Sequence, residues 1–255
     1  SVKPNGHLRE AERLFRQSIA LAESCHDLHL ILWYSLFALV LQQLSSSQEA
    51  VLRIKSALRL SRESTVTPYK GQALLALGSM RLFSARFLPP ENRLSHLKRA
   101  RKSLQHALGL TALEKETRIE AQIILSEVLF YLAEVESAHA LAEQSLIESD
   151  SFHLIWLRPR AHRVLSVILA SLGQQDKADW QFQQATLTAT QTSMRLEYGR
   201  SLHQYGEALL SRNKSHGLGY LQQARQIFVE CEATLDVERL EYDLSQLPSG
   251  KSDIP

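Results

Sequence analysis

Ten histidines, two cysteines and several closely spaced carboxylates are the side chains here that could do chemistry. A metal site in a helical chain needs three or four donors at short spacing. His26 and His29 stand three apart with no third donor at a matching interval, while His153 and His162 stand alone. These histidines are therefore expected to be surface or capping residues, with neither metal nor cofactor. The carboxylate pairs Glu114/Glu116 and Glu134/Glu136 fall near expected helix ends, and the second pair complements a helix dipole at its positive end. The chain has no GxxxxGK[ST], GxGxxG, GxSxG or HExxH sequence, so phosphate cradles, nucleophile elbows and zinc-protease helices are not expected. The expectation is binding without catalysis.

Arg81, Arg86, Arg93, Lys98, Arg99, Arg101 and Lys102 form a basic cluster that meets only Glu91 as an acid. Such a run could contact phosphate or an acidic partner. No aromatic ladder accompanies it, as single-strand grooves usually require, and a formal net charge of +2 gives no general pull on nucleic acid. A solvated helix face is the preferred reading of the cluster.

The elements that must position these residues are helices. The chain is 44% hydrophobic with only 10 Gly and 7 Pro in 255 residues, a composition poor in breakers. Twelve segments can be drawn: 7–25, 27–44, 48–63, 68–86, 93–109, 113–133, 135–148, 157–172, 175–192, 194–211, 215–232 and 235–247. Asp27 is expected to cap the second, and Gly109, Gly173 and Gly217 to supply left-handed caps or helix starts. The apolar run from Leu28 to Leu41 is too short for a bilayer, which takes about 20 residues. Cys25 and Cys231 are expected to remain separate thiols near opposite ends of the chain. That usage and the polar Ser1–Gly6 start suit a cytoplasmic protein.

Ala11-Phe15-Ser18, Ala50-Ile54-Ala57, Ala100-Leu104-Ala107, Ala138-Ala142-Ser145 and Ala178-Phe182-Ala185 repeat one pattern, small residues at i and i+7 around a middle residue at i+4. They recur about every 40 residues, which implies stacked supersecondary units. One longer step, from Ala50 to Ala100, is assigned to an inserted loop at 87–92. Trp33, Trp156 and Trp180 are expected in packing roles.

Taken in pairs the helices resemble tetratricopeptide repeats. The residues that carry this are Val164-Leu165-Ser166, Leu169, Leu172-Gly173, Ala178, Phe182 and Ala185, followed by Leu202, Tyr205-Gly206, Leu209, Leu221, Ala224 and Phe228. The resemblance implies an all-α, right-handed superhelical solenoid of about five and a half helix pairs. It forms a single domain over 1–247, with a capping helix at 235–247 and a flexible tail at 248–255. The period is longer than the usual ~34 residues of that family. In this it resembles the helical sensor arms of bacterial multidomain transcription regulators and signalling NTPases. A stand-alone peptide-binding adaptor and a nucleic-acid-binding solenoid are the alternatives.

First helices of such pairs line the concave, usually binding, face. That mapping selects Leu39, Gln42, Gln72, Ser79, Glu127, Phe130, Arg160, Arg163, Arg200, His203 and Glu207, with Leu32, Leu75 and Leu82 beside them. The expected groove is apolar early and basic late, suited to an amphipathic protein segment with an acidic end. Its partner would be another protein, a peptide or another domain of a parent chain, and not a membrane. The first helix has no partner before it, and an uncapped apolar edge could pair with a second copy.

Overall fold

The computed structural model describes residues 7–245 apart from His26, Leu28 and Thr65. Those residues form α1 (Leu8–Ser24), α2 (Leu30–Gln43), α3 (Ser47–Glu63), α4 (Thr67–Ala85), α5 (Pro90–Leu108), α6 (Lys115–Tyr131), α7 (Val135–Ser151), α8 (Arg158–Ser171), α9 (Gln175–Gln191), α10 (Arg195–Leu209), α11 (Lys214–Glu230) and α12 (Thr234–Ser245), with no strand among them. Each expected segment is present, its described ends within three residues of those read from the sequence. The histidine pair with His29 rests on His26, and the tail at 248–255 follows the last described residue, so both lie outside the described residues.

Backbone chemistry explains the sharp ends. Ser45, Ala133, His153, Gly173, Ser193 and Glu232 take left-handed backbone, with φ between 56° and 75°. In each case the next amide bonds back to the carbonyl five residues earlier, from Ser46 to Leu41, Glu134 to Leu129, Leu154 to Ser149, Gln174 to Leu169, Met194 to Ala189 and Ala233 to Phe228, at 2.8–3.0 Å. That bond satisfies a carbonyl the helix end would otherwise leave open. Of the three glycines expected at such caps only Gly173 adopts one. Gly109 closes α5 at φ −76°. Gly217 lies inside α11, where a Cβ would stand 2.9 Å from the Gly206 carbonyl of α10, so its role is close helix approach. The N-cap position of α2 is His29 and not Asp27, whose carboxylate instead accepts from the His29 amide at 2.9 Å.

Each even-numbered helix from α2 to α10 packs on the odd-numbered helix that follows it. The even-numbered helices from α2 to α10 also touch one another in order, each meeting the next. The small residues sit at the hairpin interfaces: Ala50, Ala57, Ala100, Ala107, Ala138, Ala142, Ala178 and Ala185 are all 2% exposed or less. Ala100 explains the long step. It stands ten residues past Pro90 at the start of α5, whereas Ala50, Ala138 and Ala178 stand three past Ser47, Val135 and Gln175. The extra residues lie in the first turns of α5, ahead of Ala100. The expected loop at 87–92 is short, and Pro90-Glu91-Asn92 form the first turn of α5.

The first and last described helices meet. α12 packs against α2 as well as α11, and Leu8 and Leu44 join Cys231, Ala233 and Leu240 in one apolar cluster. The Leu8 amide donates to the Cys231 carbonyl at 3.5 Å, and the Arg9 amide to Glu232 at 3.1 Å. The N-terminal edge, which the sequence leaves uncovered, is thus partly covered by the chain itself. The reason given for separate thiols also changes. Cys231 is beside the start of α1, and Cys25 follows its far end, a helix of 17 residues or about 25 Å away.

Candidate functional site

Where the even-numbered helices face one another, the side chains are charged. Glu127 of α6 receives Arg160 at 3.2 Å and Arg163 at 3.4 Å from α8, and Arg86 from the end of α4. Arg163 also donates to Glu197 of α10 at 3.1 Å and to Gln204 at 2.8 Å. Arg200 bonds Glu197 at 3.0 Å and grips Asp236 of α12 with two bonds, at 2.8 and 3.2 Å. The circuit then returns to its start. Arg200 donates to Gln43 of α2, and Arg239 of α12 donates to the Arg86 carbonyl. Glu127 and Arg163 are each 3% exposed.

Burial at this depth disfavours charge, and only partners can restore it. Burial pushes the Glu127 carboxyl up, but Arg86, Arg163 and Arg160 outweigh it and hold it far below the usual range. Burial opposes the Glu197 charge too, and Arg163, Arg200 and Arg160 bring that carboxyl down to about 2. Glu120 lies on the same face of α6, seven residues earlier, and has no ion pair among the described residues. Burial raises its carboxyl, and Arg160 offsets that only in part.

The sequence-selected groove residues divide on this surface. Glu127, Arg160, Arg163 and Arg200 belong to the circuit, and His203 and Glu207 stand beside it. Gln42 instead ties α2 to the Met80 carbonyl at 2.9 Å, and Gln72 ties α4 to Thr117 of α6 at 2.8 Å. Leu75 and Leu82 are buried core; Leu32, Leu39, Ser79 and Phe130 are half-buried. The late end of the expected groove is therefore not a free basic surface, because its arginines are neutralised by Glu127, Glu197 and Asp236. The space left among Phe83, Arg86, Arg200, Gln204, Glu207 and Arg239 is about 20 Å³, room for about one water molecule.

The basic cluster is dispersed as well. Arg86 is inside the circuit, and Arg81 bonds the Arg99 carbonyl at 3.0 Å and Ser103 at 2.6 Å. Arg93 turns back to the Leu88 carbonyl, and Arg101 pairs with Glu134 at 2.6 Å. Lys98, Arg99 and Lys102 remain exposed, a short stretch of positive surface. No described helix is long and apolar enough to cross a membrane.

Two expectations fail at the outer face. His162 is buried, 2.6 Å from Gln181, and burial lowers its pKa. Trp180 and Trp156 are 53% and 42% exposed. Trp156 donates to Glu116 at 2.8 Å. Trp180 walls a recess of about 380 Å³ between α7 and α9, with buried Leu165 and Leu169 beneath and Glu143, Asp176 and Lys177 around it.

Sequence reasoning missed Glu197, Asp236 and Arg239. A signal was available, because Glu127, Arg163, Arg200 and Asp236 follow one another at 36, 37 and 36 residues. That is one charged inner position per unit, masked by the more regular alanines of the odd-numbered helices. No protein family and no curated protein matches the chain by sequence.

Proposed function

We propose that this chain is a tetratricopeptide-like solenoid that binds another protein without catalysis, as the sensor or effector-binding arm of a larger bacterial regulator. The order of contacts supports the repeat reading: hairpin packs on hairpin, and the even-numbered helices form a continuous inner layer. A binding role is supported by the use of the buried carboxylates, since Glu127 and Glu197 neutralise arginines and are held ionised, unlike acids or bases tuned near neutrality.

The observation that carries the docking surface is the half-exposed Trp180 above buried leucines. Exposed indoles over an apolar floor are typical anchors of protein interfaces. Two of the three charges around it are acidic, Glu143 and Asp176, so the partner segment should carry an apolar anchor flanked by a basic residue. This replaces the acidic-ended segment that an inner basic groove would have called for.

The test compares proteins captured by the wild-type chain, by Trp180→Ala and by Arg225→Ala, an exposed control on α11. A partner kept by the control and lost by Trp180→Ala, at unchanged circular dichroism, supports the reading; partners kept by both variants refute it. Sequencing the gene on both sides then separates arm from adaptor. A nucleotide- or DNA-binding module in the same reading frame supports the arm, and bracketing start and stop codons support the adaptor.

A further inference from the structure

His203, Glu207 and Asp243 converge at one edge of the charge circuit. His203 and Glu207 are one turn apart on α10, and Asp243 comes from α12. His203 is 7% exposed, and its Nε2 is buried without a hydrogen-bond partner. That nitrogen points between the two carboxylates, 3.3 Å from Asp243 Oδ2 and 3.8 Å from Glu207 Oε1. The three donor atoms all lie within 4.8 Å of one another.

From this geometry we infer a binding site for a divalent metal of the zinc type, held by His203 Nε2, Glu207 Oε1 and Asp243 Oδ2. Zinc takes imidazole and carboxylate donors at about 2.0–2.2 Å in tetrahedral array, which sets neighbouring donors about 3.3–3.5 Å apart. The two separations from His203, 3.3 and 3.8 Å, lie at and a little above that edge. Two carboxylates balance the charge of a divalent ion. The surroundings hold the donors in place: Phe228 meets the His203 ring edge-on at 6.0 Å, and Arg239 bonds the same Asp243 oxygen at 2.6 Å. Such outer partners orient first ligands and tune them. His203 and Glu207 also border the water-sized space described above, where a water would complete the coordination. A bound ion would bridge α10 to α12, the helix that closes the molecule.

Zn²⁺ alone is titrated into the purified, chelator-treated full chain, read by isothermal calorimetry and native mass spectrometry. Co²⁺ serves as a spectroscopic substitute. The expected result is one ion per chain and the visible absorption of tetrahedral Co²⁺. Both are lost in His203→Gln. Glu207→Gln, at an exposed position that leaves the core intact, should weaken binding by at least about tenfold. Absence of saturable binding to the folded wild-type chain overturns the site, and so does one-to-one binding that survives both substitutions.

Discussion

On one side α6 meets α7 through Ala138 and Ala142, each 2% exposed or less; on the other, the buried Glu127 meets buried Arg163 and half-buried Arg86 and Arg160. The alanine interface depends on volume. It is non-directional, and any apolar group that fits would serve. The glutamate interface depends on completeness, because each buried charge is stable only while its partners remain. Hairpins are thus joined by shape, and the inner layer, with its closure from α12 onto α2, by charge.

The contrast breaks most sharply at Glu127. Glu127→Ala strands Arg86 and Arg160 and leaves Arg163 with Glu197 alone, and removing one partner of a buried pair costs about 3–5 kcal/mol. Urea unfolding should show that loss, together with earlier proteolysis of α12.

Acid should reproduce the effect without mutation. Glu197 titrates at about 2 in the folded chain against an ordinary 4.5, and Glu127 lies lower still. Carboxyls depressed by folding contribute stability that is present above their unfolded pKa and lost as pH falls through the folded value. The urea midpoint should therefore drop from about pH 4.5 toward pH 2, and Glu127→Gln should flatten that drop. A midpoint constant over this range would mean the circuit adds no stability.

The alanine side answers to size instead. Ala138→Leu overfills the α6–α7 interface and is expected to cost about 1–3 kcal/mol, with the acid profile unchanged.

The smallest effect sharpens the comparison within one helix face. Glu120 is raised by burial where Glu127 is lowered. Its proton is held more tightly in the folded chain, so folding is helped as pH falls through its raised pKa toward 4.5. Glu120→Gln at neutral pH should thus be stabilising or within about 0.5 kcal/mol of wild type, measured in the same urea series.

The helices were legible because their signals are local. Apolar periodicity, Pro68 near a helix start, and the recurring alanines each act within a few turns of their own residue. Arg160, Arg163 and Arg200 could be placed on the inner side of their helices from spacing, but not their satisfaction by Glu127, Glu197 and Asp236. A pairing across 30–40 residues depends on how neighbouring units rotate against each other. Trp180 failed for a related reason: its helical stripe is apolar, and only the gap between α7 and α9 leaves it half uncovered.

The sequence by itself determined an all-helical chain, the number and limits of its helices, and the alanines on which hairpins close, since each follows from chain stiffness and side-chain size read locally. Only the tertiary structure decided that α12 meets α2, that the inner arginines are neutralised, and that His203, Glu207 and Asp243 share one point. Those outcomes depend on how helices far apart in sequence pack, as α12 does against α2.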